Sequence, residues 1–466
     1  MNKIYFFLLV MLVSITHAQE FNFQKGVVIN EVPMVSDSTA TYALYLPQKF
    51  ESSQKWPLLF VFDPEGNGPR AVQAFKEVSD EYGLIVVASN SIRNDVIEKN
   101  LAKFDKLSIE VSKKFPIQNT RIFTAGFSGG ARLATSIAVI TNKIEAVIAC
   151  GASFSSNTKY YPTKPNFYFI GITGIYDFNN TEMTSVKEYL TNKKIPNELF
   201  VFNGRHEWPD APTLQEAFKW IQLRHLKKYN RLTKEAHLQQ YQKEMQVVND
   251  LVTYNREKAI RHLNRVYKNY KLVLEVDSLK KKIRNLKKDK AYKIRARKDW
   301  LAVLEEDDLR SMYALYFQDD LKAVNFDNLG WWESQLKQID SISQSNDFYK
   351  SRTGKRLKDL MANASKEIAW TLKDSTQTKK WLYINIFSVL ANKTYKPAYF
   401  NIIQYGAKKL DYDLALYYTE ELFLNGFDDL EKLKKLEGTS VFFLSPDYME
   451  LEDIYFKEEE EPESPN

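Results

Sequence analysis

The residues best suited to chemistry in this chain are a serine and a histidine in short glycine-containing segments. Ser128 is the central residue of GFSGG at 126–130, between an apolar run and a helical pattern. A serine hydroxyl is a poor nucleophile at neutral pH unless a base takes its proton. The segment therefore predicts a nucleophile only where the surrounding elements and a base support it.

The elements around Ser128 are those of a sharp strand-to-helix turn. A strand is predicted at 121–125 and a helix over 130–141. Such a turn holds the serine in a strained backbone conformation, and Gly126 and Gly130 are needed because side chains there would collide. The helix N-terminus also places free N–H groups near the reacting oxygen.

His206 is the predicted base. It lies in NGRHEWP at 203–209, directly after the last predicted strand. The other histidines beyond the N-terminal segment, His225, His237 and His262, fall in helical patterns. A histidine in a loop after a strand is better placed to take a proton from a serine than one within a helix.

Asp177 is the predicted acid that orients the imidazole, because it follows the strand predicted at 167–172. The chain order serine, aspartate, histidine is one of the orders in which catalytic triads occur. The alternative is that Asp177 only caps the next helix. In that case the acid would be one of three others in the same region: Glu182, Glu207 and Asp210.

Two backbone N–H groups are predicted to form an oxyanion hole. Gly129 follows the nucleophile directly, and the segment DPEGNG at 63–68 follows the third predicted strand. Pro64 has no N–H, so Glu65 is the preferred second donor and Gly66 the next. The alternative is an ordinary glycine-rich turn.

Two regimes of composition divide the chain near residue 228. Before it, β-rich apolar runs alternate with helical patterns, which predicts a mostly parallel eight-stranded sheet with helices on both faces. After it the patterns are helical, so the fold class is α/β followed by an all-α region. The predicted strands are 24–29, 39–46, 57–62, 84–88, 121–125, 146–150, 167–172 and 199–202. The predicted helices before residue 228 are 70–82, 99–115, 130–141, 184–193 and 212–228.

The predicted domains follow from this division. Residues 19–228 form the α/β domain that carries the predicted site residues, and residues 229–456 form the helical domain. Within the latter, 397–409 and 412–425 resemble an antiparallel tetratricopeptide helix pair, followed by a short helix near 429–436, although an irregular helical domain explains the same pattern. The helical half is a candidate cover for the site, since the segment 151–166 is too short to hold a lid.

The N-terminus has the pattern of a signal peptide over residues 1–18, which predicts a periplasmic or secreted protein. The acidic residues 457–466 predict a disordered tail. Cys150 is the only cysteine and ends an apolar run, so it is predicted to be a small buried side chain. No cofactor and no metal site are expected, because the five histidines and one cysteine do not cluster.

Charge is segregated in the second half. Residues 261–300 contain 15 Lys or Arg against 4 Asp or Glu, and residues 411–466 contain 17 acidic residues against 4 Lys. Nucleic acid is not the expected partner, because an exported protein rarely meets it and the basic stretch lacks interleaved stacking aromatics. A solvated helical face fits better, and a protein partner through the helical region stays open. No membrane-spanning segment is expected after signal removal.

These motifs together resemble one family. FDPEG at 62–66, AGFSGGAR at 125–132, DFN at 177–179 and GRHEWP at 204–209 are similar to bacterial α/β hydrolases, including dienelactone-hydrolase-like esterases, feruloyl esterases and polyhydroxybutyrate depolymerases. The resemblance covers residues 24–228 and implies hydrolysis of a small-molecule or polymer-linked ester through an acyl-enzyme. Arg205 departs from it, since relatives often have a second glycine there.

Two other functions compete with a serine esterase. A serine peptidase would use the same triad, because this fold hosts both reactions. A helical-repeat interaction protein of the cell envelope, with an inactive hydrolase domain, belongs to a different class.

Overall fold

The computed structural model describes residues 23–456 except Leu232, Leu272 and Asp374. The predicted signal peptide at 1–18 and the acidic tail at 457–466 lie outside the described residues.

Within the described residues the chain divides into two compact units. The first extends to Ile172 and also contains Val186–Phe200 and Trp208–Ile221. The second contains everything described from Gln222 onward together with two segments, Thr173–Ser185 and Val201–Glu207. Each segment contains the end of a strand and the loop after it, and by its contacts it belongs with the helical unit.

Eight strands form one sheet in the order β1-β2-β4-β3-β5-β6-β7-β8. β2 pairs antiparallel with β1 and β4, whereas the pairs of β3 with β4 and β5, and of β6 with β5 and β7, are parallel. The predicted mostly parallel sheet of eight strands is thus confirmed. The strands are Val28–Pro33 (β1), Thr41–Tyr45 (β2), Trp56–Phe62 (β3), Ile85–Ser89 (β4), Ile117–Phe127 (β5), Ala146–Cys150 (β6), Tyr168–Gly174 (β7) and Asn197–Phe202 (β8).

Helices cover both faces of the sheet because its central strands are apolar on both sides. Phe60 of β3 contacts Phe104 of a helix at ring centroids 5.1 Å apart. Phe123 of β5 is in register with Leu59, so it points to the opposite face, where it contacts Phe218 at 5.2 Å. The helices up to residue 228 are Gly68–Ala74 (α1), Lys76–Tyr82 (α2), Ile97–Lys114 (α3), Gly129–Thr141 (α4), Asn180–Asn192 (α5) and Ala211–Lys228 (α6).

The rest of the described chain is helical, as predicted. Its cores are apolar clusters centred on residues such as Leu263, Trp332 and Tyr399, all of them fully buried. The helices are Lys234–Tyr254 (α7), Arg256–Tyr270 (α8), Ser278–Lys288 (α9), Lys290–Ala323 (α10), Leu329–Ser343 (α11), Phe348–Leu372 (α12), Thr378–Ala391 (α13), Lys396–Lys409 (α14), Tyr412–Leu424 (α15), Leu430–Lys434 (α16) and Pro446–Phe456 (α17).

The predicted helix pair near the C-terminus is present as α14 and α15. Gly406 of α14 allows the close approach, because a Cβ there would lie 3.1 Å from the Cβ of Ala415 on α15. Ala415 and Leu422 are both buried on this contact stripe. Whether the pair belongs to a tetratricopeptide array stays a prediction.

In the part of the chain that the structure describes, we find no helix with the length and apolar character needed to cross a membrane.

Candidate active site

Ser128 lies between the end of β5 and the start of α4, in a backbone conformation with φ 51° and ψ −122°. A non-glycine residue in such a conformation costs about 1–3 kcal/mol, which the surrounding structure must offset. The Ser128 N–H donates to the Cys150 carbonyl at the end of β6, at 2.8 Å. The predicted strain at this serine is confirmed.

Glycine is required on both sides of the turn. A Cβ on Gly126 would overlap the backbone of Gly130, and one on Gly130 would overlap the Phe62 carbonyl of β3. The turn therefore closes only because both positions lack side chains. The collision predicted for these two positions is confirmed.

Replacing Gly130 by alanine is expected to destabilise the first unit, because the methyl group meets backbone that cannot move aside. We expect a loss of about 1–3 kcal/mol in the free energy of unfolding, measured by denaturant titration. Gly330→Ala is the matched control, since a Cβ there meets nothing within 4 Å. Equal stability of the two variants would contradict the close packing described for the turn.

Cys150 is completely buried at the end of β6, as predicted. Burial raises the pKa of its thiol far above the usual range. The side chain therefore acts as a small apolar residue, and the predicted nucleophile of this region stays the hydroxyl of Ser128.

In the second unit, His206 and Asp177 form a hydrogen-bonded pair. His206 Nδ1 lies 3.0 Å from Asp177 Oδ1, and the Asp177 side chain is 1% exposed against 14% for the histidine. The carboxylate accepts the Nδ1–H, which leaves Nε2 as the nitrogen that can accept a proton. This is the tautomer that a general base requires.

Asp177 also holds its own turn. Its Oδ1 accepts from the Asn179 N–H at 2.8 Å, and its carbonyl accepts from Asn180 at the start of α5. The capping role considered for this residue therefore exists beside its bond to His206. The Phe178 ring packs on the imidazole with centroids 4.3 Å apart, which restricts the ring's rotation.

Backbone bonds join the turn of Asp177 to the loop of His206. The N–H groups of Ile175 and Tyr176 donate to the carbonyls of Phe202 and Gly204, each at 2.9 Å. Gly174 lies against the same loop, where a Cβ would overlap the Gly204 carbonyl. The two loops therefore position the acid and the histidine as one piece.

The other acids and histidines have separate local partners. Glu207 accepts from the Arg205 N–H at 3.0 Å, and Asp210 accepts from the Thr213 N–H at the start of α6. Glu182 lies in the first turn of α5. The helical histidines stay in their helices: His225 packs on Tyr229, His237 bonds to Thr233, and His262 lies 2.6 Å from Glu244.

The loop after β3 is organised around a buried carboxylate. Asp63 is 2% exposed, and its Oδ1 accepts from the Glu65 N–H at 2.9 Å. The Gly66 N–H donates to the Asp63 carbonyl at 3.1 Å. An oxyanion role for Glu65 stays a prediction. It requires the Glu65 N–H to break its hydrogen bond to Asp63 Oδ1. Gly129, the first residue of α4, lies against the Asn94 side chain, and its oxyanion role also stays a prediction.

Asp63 also accepts hydrogen bonds from two side chains. Arg70 donates from Nε and Nη2, at 2.9 and 2.8 Å. Trp208, two residues after His206 in the chain, donates from Nε1 at 3.1 Å and packs its ring on Phe75 and Phe127. The tryptophan of the HEWP motif is therefore fixed by both its ring and its N–H.

Trp208→Phe keeps an aromatic ring at this position, although a smaller one, and removes the hydrogen bond to Asp63. We expect a loss of about 1.5–3 kcal/mol in unfolding free energy, the range for a hydrogen bond to a charged group. Denaturant unfolding measures it, with the exposed Trp300→Phe as control. An unchanged midpoint for Trp208→Phe would show that the bond contributes nothing.

Three site features were not predicted from the sequence. The Phe178 ring on the histidine could have been suspected from its place next to Asp177. The side chain of Arg205 extends away from its loop, and its guanidinium pairs with Asp359 of α12. Hydrogen bonds reach the turn of Asp177 from Arg310 of α10 and Arg356 of α12. No local sequence pattern indicates them, because these arginines lie more than 100 residues from Asp177 in the chain.

The strand order, with the serine elbow after β5 and the aspartate and histidine after β7 and β8, is that of an α/β-hydrolase fold. The predicted fold class is confirmed.

No protein-family model matches the chain, and no curated protein matches it. Solved structures that resemble it include a fluorophosphonate-binding serine hydrolase of Staphylococcus aureus, at 14% identity and a TM-score of 0.36, covering 42% of this chain and 97% of that one. A dienelactone hydrolase from Klebsiella pneumoniae, described as putative in its own name, is 12% identical over 44% of this chain and 100% of its own, with a TM-score of 0.34. An esterase of Pyrobaculum calidifontis is 13% identical, with a TM-score of 0.34, and the match covers 45% of this chain and 88% of the esterase.

Proposed function

We propose that the protein is a serine hydrolase that cleaves carboxylic esters with Ser128, His206 and Asp177. The observation that carries the proposal is the strained elbow at Ser128, a backbone conformation that costs stability and is found most often at functional sites. The pair formed by His206 and Asp177 supports it, since a carboxylate that accepts the Nδ1–H favours the tautomer that a general base needs. The three residues follow strands of one sheet, and such sheets carry their sites at the carboxyl ends of the strands.

The proposed reaction has two halves. Ser128 Oγ attacks the ester carbonyl carbon while His206 Nε2 takes its proton, and the N–H of Gly129 stabilises the developing oxyanion. Collapse of the tetrahedral intermediate breaks the bond to the alcohol, which leaves with the proton from His206. Water then attacks the acyl-enzyme, gives its proton to His206 and releases the acid as Ser128 recovers its hydrogen. No cofactor and no metal are needed for these steps.

The proposed setting is the periplasm or the exterior of the cell, on the strength of the signal-peptide pattern at residues 1–18. The proposed substrate is a small-molecule or polymer-linked ester. Nitrophenyl esters of increasing acyl length, compared with aminoacyl anilides, test the reaction class in the purified full chain.

We expect turnover of at least one ester and no turnover of the anilides. Preferential cleavage of anilides would replace the esterase with a peptidase. A folded protein that turns over neither class would favour the interaction-protein alternative.

A further inference from the structure

The turn that carries Asp177 is bonded to two arginines of the helical unit. Arg356 of α12 donates from Nε and Nη2 to the Ile175 carbonyl, at 2.9 and 2.7 Å. Arg310 of α10 donates from Nη2 to the Phe178 carbonyl at 2.6 Å. The two accepting carbonyls belong to residues on either side of Asp177, so the acid is held from both directions.

A buried glutamate organises the two arginines. Glu306 of α10 has no exposed surface and accepts from Arg310 at 2.8 Å through Oε1 and from Arg356 at 3.1 Å through Oε2. Arg356 is 2% exposed, and burial lowers the pKa of its guanidinium to about 10, so it stays charged at neutral pH. Bonds from charged donors are shorter and roughly twice as strong as neutral ones. Glu306, Arg310 and Arg356 are called the Arg–Glu–Arg clamp below.

The same helix α12 also contacts the neighbouring residues of both loops. Lys355 Nζ lies 4.9 Å from the centre of the Tyr176 ring, next to Asp177. Asp359 accepts from Arg205, next to His206, with an Nε–Oδ2 distance of 3.0 Å. One face of α12 thus contacts both loops: Lys355 and Arg356 contact the turn of Asp177, and Asp359 contacts the loop of His206.

We propose that the helical unit positions the acid and the base, and that Arg356, Arg310 and Glu306 are positioning residues for Asp177. The inference rests on the proposed function and gives the helical region a role in it. The orientation of the imidazole depends on where Asp177 Oδ1 lies, and a misplacement of about 1 Å costs on the order of 100-fold in rate. A turn without its own regular structure gains that accuracy from fixed donors on two long helices.

The test uses the full-length protein and two readouts. One is ester hydrolysis, separated into kcat and KM. The other is the low-field proton resonance of His206 Nδ1–H in protein labelled with ¹⁵N-histidine, assigned by its loss in His206→Gln. This resonance reports the bond to Asp177 whether or not the protein hydrolyses an ester.

Arg356→Gln is expected to lower kcat by about 10- to 100-fold with KM nearly unchanged, and to shift or broaden the resonance. Arg356→Lys is expected to restore little of the lost kcat, because an ammonium group cannot donate two parallel hydrogen bonds as the planar guanidinium does. Arg352→Gln is the matched control: Arg352 is also buried on α12 and pairs with Asp299 of α10 at 2.6 Å. It is expected to leave kcat and the resonance at wild-type values.

If Arg356→Gln does not fold, Arg310→Gln replaces it, since Arg310 is more exposed. A folded clamp variant with wild-type kcat and an unchanged resonance overturns the inference. So does a fall in kcat with an unchanged resonance, because Asp177 would then not be the residue affected. A wild-type protein that hydrolyses no ester refutes the proposed function. In that case the resonance alone shows whether the clamp holds Asp177 in its bond to His206.

Discussion

Ser128→Ala is expected to lower kcat for ester hydrolysis by about 10⁴- to 10⁶-fold, with the protein still folded. Alanine has no hydroxyl to attack the carbonyl, so the acyl-enzyme cannot form. The residual rate comes from the oxyanion donors and substrate binding, which alone retain roughly 10³–10⁴-fold over water.

Steady-state kinetics at saturating ester measure this effect, and circular dichroism checks the fold. Ser136→Ala is a matched control in α4, because the Ser136 hydroxyl donates within its own helix to the Arg132 carbonyl. It is expected to keep near wild-type kcat. A loss of less than tenfold in Ser128→Ala would mean that another group is the nucleophile.

Asp177→Asn is expected to lower kcat by about 10⁴-fold near neutral pH while leaving KM almost unchanged. The amide is nearly the same size as the carboxylate. However, its NH₂ group would face His206 Nδ1 and favour the tautomer with the proton on Nε2, where a base must accept. The variant also loses the negative charge that stabilises the imidazolium.

The rate of Asp177→Asn as a function of pH checks this explanation against a general loss of structure. Asp210→Asn is the control acid, because Asp210 caps α6 through the Thr213 N–H. We expect near wild-type kcat for that control. A wild-type rate in Asp177→Asn itself would return the acid role to Glu182 or Glu207.

The sheet was predictable because its strands carry strong apolar runs. All eight strands appear within a few residues of the predicted positions, and the elbow follows from the glycines around Ser128. The first strand was placed at 24–29, whereas β1 is Val28–Pro33. Its position is decided by pairing with β2 across an irregularity between Ile29 and Val32, which no local pattern encodes.

Some local predictions were altered by packing. The helix predicted over 70–82 is two helices, α1 and α2, that meet at Phe75. Phe75 is completely buried, and its ring contacts Trp208 edge-on. A contact with a residue so far along the chain is invisible in a helical pattern.

The contribution of the helical unit to the site could not be predicted either. Arg310 and Arg356 lie in helices with many charged residues, where an arginine normally indicates a solvated face. Burial against Ile175 and Phe178 becomes visible only in three dimensions. The sequence therefore named the candidate catalytic residues, and the structure adds the contacts that hold Asp177 and His206.

The central claim is that Ser128 is an activated nucleophile, and covalent labelling tests it most directly. The full-length protein is treated with a fluorophosphonate, digested, and the modified residue is located by mass spectrometry. We predict one phosphonylated site, on Ser128, with labelling slowed strongly in His206→Gln and absent in Ser128→Ala. Labelling of another residue, or none in a folded wild-type protein, would contradict the account.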